Sequence, residues 1–248
     1  MALFLKKIYK NIRKRYLMFI SVNWIKTIYF NFKMLPFKQA KALPVFFYGK
    51  VKFSDLSGEL QIKSTIKTGM IGFGQKFEIT TLPKGVANFF LKGKLVFKGY
   101  AHIGNDYLIY IEKQAFCELG NMSLLGSDVK LICKEKIIIG DWTSIAYESQ
   151  IIDTNSHHSL DTKTQVAHKL TAPIVLGSHN SVSTRVTIMP GTQTANYVIT
   201  ASNSLLNKNY TALGQEILIG GLPAKLLKTH YIRDWELEKQ KAFKFRVH

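Results

Sequence analysis

IGDWTSIAYESQIIDTNSHHSL, residues 139–160, places an aliphatic side chain at every sixth position, Ile139, Ile145 and Ile151. The pattern then breaks into a polar turn that delivers two adjacent histidines, His157 and His158. A six-residue period is the signature of a parallel β-helix, in which each hexad supplies one short strand and one corner. The aliphatic points into a continuous core, and each coil needs its neighbours to bury that core. The break marks a loop leaving the coil, and titratable groups on a loop held by a rigid scaffold are where chemistry is expected.

The spacing continues on both sides. Leu91, Phe97, Ile103, Ile109 and Ala115 are six apart; Leu119, Leu125, Leu131 and Ile137 follow after a shift of four, and Ile139 after a shift of two. Beyond the histidines, Leu176, Val182, Ile188, Thr194, Thr200 and Leu206 resume it. Glycine follows the inward residue at Gly104, Gly120, Gly126, Gly140 and Gly177, as a corner requires. Further upstream, Leu60, Ile62, Ile66, Ile71 and Phe73 read as strand positions.

Charge separates the front of the chain from this repeat. Of 248 residues, 34 are Lys or Arg and 16 are Asp or Glu, an excess that asks for an anionic partner. Eleven of the cations lie in residues 1–50, and the first carboxylate is Asp55. They alternate with Phe, Tyr, Trp, Leu and Ile, and no apolar run approaches the roughly 18 to 20 residues of a membrane span. Residues 1–45 read as a basic, aromatic-rich amphipathic helix lying on an anionic membrane surface, preferred over a helix whose apolar stripe only packs on the rest of the protein. Pro36 and Pro44 end any long helix beyond Met34. No nucleic-acid-binding motif is present, so nucleic acid is not expected as a partner. Cys117 and Cys133 form no CxxC pair and read as small core residues in a reducing compartment. The expected location is cytoplasmic, peripheral on the inner face of the membrane. The expected division is a basic amphipathic segment at 1–48, a parallel β-helix at 49–228, and a closing helix with a basic tail at 229–248 that caps the last open coil.

Four stretches carry a family resemblance: IGDWTSIAYESQIIDTNSHHS, LGSHNSVSTRVTIMPGTQT, ITASNSLLNK and IGGLPAKLLK. In order and spacing, the chain from about Ile139 to Lys228 resembles the hexapeptide-repeat O-acyltransferases, the sugar and polysaccharide acetyltransferases in particular. The resemblance implies a mainly β fold, a left-handed parallel β-helix, assembled as a homotrimer with acetyl-CoA between neighbouring subunits. It implies acetyl transfer to a hydroxyl of a sugar or glycan; the basic front end adds the expectation that this glycan is lipid-linked. The family's Asp-Thr-Asp-x-His turn falls on Asp153, Thr154, Asn155, Ser156 and His157, which makes His157 the general base. Asp153 and Asn155 are the near candidates to orient it, Glu148 a weaker one, and His158 the alternative base.

For the cofactor, the resemblance points to the last coils. Ser183, Ala201 and Asn203 sit at corner positions there; Arg185, Lys208, Lys225 and Lys228 are cations for the phosphates; Gly221, Pro223 and Ala224 match the closing motif. The chain departs from the family where Trp-Ile-Gly becomes Ser181-Val182-Ser183, where Ile-Gly becomes Thr194-Ala195, and where a corner glycine becomes Asn203. The first departure supports an alternative reading, a catalytically degenerate β-helix scaffold that binds a membrane or protein partner. A three-histidine zinc site would have to draw on His102, His157, His158, His168 and His179. Adjacent histidines do not easily share one ion, so no metal is expected.

Overall fold

The computed structural model describes residues 9, 13, 16, 17, 19–75 and 84–245, with side chains described as far as residue 240. From Val45 onward the chain visits three parallel sheets in rotation. Ala101–Ile103 lies in the first sheet, Leu108–Ile111 in the second and Phe116–Leu119 in the third; Ser123–Leu125 then returns to the first, beside Ala101–Ile103. The sheets hold nine, seven and five strands, and bridges from Val175 to Gln193 to Asn209 prolong the third. This is a parallel β-helix with three faces. It starts slightly ahead of the expected boundary at 49, because Val45–Phe47 already pairs with Ile71–Phe73 as its first strand.

Every hexad residue named above, from Leu91 to Leu206, points inward and is at most 6% exposed. The shifts of register have one cause. From Leu91 to Leu206, passage from the third face to the first takes six residues, as from Leu119 to Leu125, Ile139 to Ile145 and Leu176 to Val182. Passage from the first to the second also takes six, as from Leu125 to Leu131 and Ile145 to Ile151. In that span all the slack collects at the edge between the second and third faces; ahead of it the first coil is longer at the other two, with eleven residues from Ile62 to Phe73 and sixteen from Phe73 to Phe89. There the strand Lys136–Ile139 buries both Ile137 and Ile139, which produces the shift of two. Between Ile151 and Leu176 the same edge releases the long histidine loop.

The two tight edges are tight for a reason visible in the backbone. The third residue after each inward aliphatic has a left-handed conformation: Asp106, Asp128, Glu148, Arg185 and Asn203 on one edge, Met122, Trp142, His179 and Tyr197 on the other, all with φ between 55 and 62°. That conformation is costly for a residue bearing Cβ. From Met122 onward it is held because each of these N–H groups donates to a carbonyl one coil away. The distances are 2.8 Å from Asp128 to Asn105, 2.9 Å from Glu148 to Ser127, 2.8 Å from Trp142 to Asn121 and 2.8 Å from His179 to Asp141. The preceding corner position is crowded in turn, and a Cβ on Gly140 would come within 2.5 Å of the Gly177 backbone. Asn203, expected to replace a corner glycine, does so at φ 56°.

Both ends of the coil are closed. At the front, helix α1 (Trp24–Met34) lies over the first strand. The Asn31 side chain bonds both backbone groups of Val45, Thr27 Oγ1 accepts from the Phe47 N–H, and Phe30 drops fully buried among Phe47, Phe53 and Phe89. Burying that ring contributes roughly 1.5–3 kcal/mol. A short helix α2 (Phe37–Ala40) leads from α1 into the coil. At the far end, Ile217–Gly221 pairs antiparallel with Ala224–Thr229, and this hairpin closes the last coil. The C-terminal helix α3 (Trp235–Phe245) was expected to do so and instead packs on the side of the prism. The reason is that Trp235 meets His179 edge-on at 5.1 Å while Arg233 reaches Ser144 Oγ at 3.1 Å. Cys117 and Cys133 are fully buried in the core, which raises both thiol pKa values.

Burial lowers the pKa of His102, on the first face, to about 4, against the opposing effect of its hydrogen bond to the Gln75 carbonyl at 3.2 Å. In the unfolded chain an imidazole titrates near 6.5. Between those values the unfolded state binds the extra proton, so stability falls as pH drops below about 6.5 and the loss is complete below about 4. Urea melts should show a loss of about 2 kcal/mol from this group between pH 7 and pH 5, absent in His102→Gln.

Candidate active site

The histidine loop is an anchored arm. Asp153, fully buried at its base, accepts from the backbone N–H groups of Lys134, Glu135 and Lys136 at 2.7, 2.8 and 2.8 Å. Its carbonyl accepts from the Ala172 N–H, so the two ends of the arm are tied together. Antiparallel bridges Thr154–Thr171 and Leu160–Ala167, with an Asn155 N–H to Leu170 carbonyl bond of 2.8 Å, continue the pairing outward. Asp161 closes the tip by accepting from the Lys163 and Thr164 N–H groups. His157 and His158 stand exposed on the outgoing strand, just after Ser156 in a left-handed conformation.

This geometry sorts the residues named around His157. The Asp153 carboxylate is committed to three backbone donors and anchors the arm. Asn155 lies beside His157, whose N–H donates to the Asn155 carbonyl at 2.7 Å, and its side chain is exposed. Glu148 is at the other end of the strand, where Arg185 Nε donates to it at 2.6 Å and holds its carboxyl below the usual range. Among the described residues neither imidazole of the histidine pair makes a hydrogen bond, so both are open to a ligand. A shallow groove of about 540 Å³ lies beside the arm's base, lined by Phe116, Glu118, Glu135, Lys136 and Ile138.

The residues proposed for the cofactor fall mostly on one line. Ser183, Arg185, Ala201, Asn203 and Gly221 lie along the edge between the first and second faces, one coil after another, with exposed Pro223 in the turn that closes it. Gly221 donates its N–H to Ser204 Oγ at 3.0 Å, Ala224 is buried behind it, and Lys225 is exposed on the closing hairpin. Lys208 is separate, on the loop's own edge, with its ammonium over the Tyr210 ring. The change to Ser181-Val182-Ser183 does not disturb the coil. Val182 stays buried, and Ser183 occupies the corner position that Ala146 and Ala201 also fill with side chains. Within one chain, then, His157 and the line from Ser183 to Gly221 sit on opposite edges of the second face.

Sequence reading missed the third edge. Trp142, His179 and Tyr197 stack there on successive coils, with ring centroids 6.5 and 4.7 Å apart, and Trp235 meets the His179 ring edge-on. Burial and the nearby Lys239 lower the His179 pKa. The signal was the third place after each aliphatic, which these residues share. His102 on the first face, His179 in its stack and the arm histidines do not converge, and among the described residues no group of His, Cys, Asp or Glu is placed to hold a metal.

No family model and no curated protein matches the sequence. Solved structures do. The polysialic-acid-specific acetyltransferase NeuO superposes with a TM-score of 0.58 at 16% identity, over 83% of this chain and 90% of its own. The fold is the left-handed β-helix. Two others align less well: a variant of the N-acyltransferase AntD from Bacillus cereus, solved with dTDP and coenzyme A (TM-score 0.47, 14% identity, 81% of this chain and 89% of that one), and a hexapeptide-repeat acetyltransferase from Vibrio cholerae solved with acetyl coenzyme A (TM-score 0.41, 23% identity, 54% and 72%).

If Asp153 is an anchor, Asp153→Ala leaves three N–H groups unpaired inside the protein. It should lower unfolding stability by about 3 kcal/mol or more in denaturant melts, whereas a residue that only orients an exposed imidazole would leave stability within about 0.5 kcal/mol.

Proposed function

We propose that the protein is an O-acetyltransferase that moves an acetyl group from acetyl-CoA to a hydroxyl of a sugar or glycan, with His157 as general base. The observation that carries this is the anchored arm. A coil that keeps six residues across two of its edges from Leu91 to Leu206 opens at the third, and there it presents an exposed histidine at the place the acyltransferase turn assigns to the base. The likeness of the fold to an acetyltransferase acting on polysialic acid supports the choice of a glycan hydroxyl.

His157 Nε2 or Nδ1 takes the acceptor proton as the hydroxyl oxygen attacks the thioester carbonyl. The C–O bond forms and a tetrahedral oxyanion results, which needs a hydrogen-bond donor in the assembled site. Collapse breaks the C–S bond, and the imidazolium returns its proton to the departing thiolate. Arg185 and Lys225 offer charge to phosphates, Arg185 while still engaged with Glu148. Ser183, Ala201, Asn203, Gly221 and Pro223 shape the edge along which the cofactor would lie, and Lys208 serves the loop's edge.

The homotrimer that the family resemblance implies would bring the arm of one subunit to the corner line of the next, which lies on the opposite edge of the second face within one chain. The acceptor would be a glycan intermediate carried on lipid at the cytoplasmic face. The degenerate-scaffold reading rests on the same change at Ser181-Val182-Ser183, which leaves the coil intact, and the absence of acetyl-CoA binding would favour it.

With acetyl-CoA and an oligosaccharide acceptor, His157→Ala should lower kcat by about 10² to 10⁴ with little change in KM for acetyl-CoA. His158→Ala should stay within a few-fold of the parent. Retained thiol release in His157→Ala would remove it as the base.

A further inference from the structure

The front helix has two apolar stripes, and only one is used by the fold. Thr27, Phe30 and Asn31 face the coil and are fully buried. Ile25, Ile28, Tyr29 and Phe32 form a second stripe at i, i+3, i+4 and i+7, and they are 82, 46, 53 and 47% exposed. Phe37 on α2, 73% exposed, extends this stripe, its ring 5.9 Å from that of Phe32; Phe19 and Ile20 add further exposed apolar surface just ahead of α1. Lys33, Lys38 and Lys41 are exposed and meet no carboxylate among the described residues. The sequence offers none before Asp55.

We propose that this outer face of α1 and α2 docks on an anionic lipid bilayer, so that the coil stands on the membrane by its front end. A stripe of aliphatic and aromatic side chains flanked by lysines suits the boundary between headgroups and acyl chains, where the rings and aliphatics enter and the ammonium groups meet phosphate. No helix among the described residues is long and apolar enough to cross a membrane, so the contact lies on the surface. A second copy of the chain fits worse, because it would set the same lysines against one another. Nucleic acid fits worse too, since Ile25 and Ile28 would face a phosphate backbone.

The orientation follows from the side-chain bonds that fix α1 to the first strand. Those bonds occupy one side of the helix and aim the other away from the coil. In the first sheet the strand Ser144–Ile145, which leads into the arm's coil, is the fourth neighbour of Val45–Phe47. At about 4.8 Å per strand the arm therefore stands about 20 Å beyond the first coil, clear of the bilayer.

The test uses the full chain and needs neither donor nor acceptor, so it is independent of the acetyltransferase reading. Co-sedimentation is measured with vesicles of phosphatidylcholine alone and of phosphatidylcholine with phosphatidylglycerol. The parent should bind the anionic vesicles and weaken with salt. The double variant Ile25→Glu, Phe32→Glu, whose sites lie in solvent and whose melting should match the parent, should lose at least about tenfold in partitioning. Lys33→Glu with Lys38→Glu should lose a similar factor on anionic vesicles only. Failure of the parent to bind, equal binding by the Ile25/Phe32 variant, or self-association of the parent relieved by that variant would each overturn the proposal.

Discussion

At two of the three edges of this protein, the backbone of each coil must meet the backbone of the next. The N–H of a left-handed corner residue donates to a carbonyl one coil away, and a glycine or small residue ahead of it leaves room for the contact. A corner that gained or lost a residue would misplace both. This stacking explains why the inward side chains recur every sixth residue across these edges, and why the chain can tolerate Trp142, His179 and Tyr197 in a conformation that usually excludes them. At the remaining edge the length of the passage varies from coil to coil, and the arm leaves there.

Function follows that division. The strict edges make straight lines of residues, and one of them collects Ser183, Arg185, Ala201, Asn203 and Gly221 although they are scattered over almost forty positions of sequence. The permissive edge releases the arm and sets His157 at its exposed start, with Asp153 holding the root. Neither edge of a single chain has both sets, so the account of acetyl transfer depends on a neighbouring copy.

Much of the coil was legible in the sequence because its inward positions accept only apolar or small side chains, and a period of six is hard to produce otherwise. Even the register shifts were visible, though their meaning needed the strand Lys136–Ile139, with two inward residues where a hexad has one. Asp153 was not legible as an anchor. Its three donors lie at least seventeen residues upstream and are backbone groups, which leave no mark on side-chain pattern. The place of α3 depended on a match between Arg233, Trp235 and a corner stack that is built from separate coils. In the front segment, the two opposed faces of α1, one for the core and one for solvent, appear only when the helix is seated on Val45–Phe47.

The claim on which the rest turns is that the line of corners binds an acyl-CoA thioester. Calorimetric titration of the full chain with acetyl-CoA tests it directly. The account predicts saturable binding at one molecule per chain; a folded protein that gives no binding signal with millimolar acetyl-CoA would contradict it.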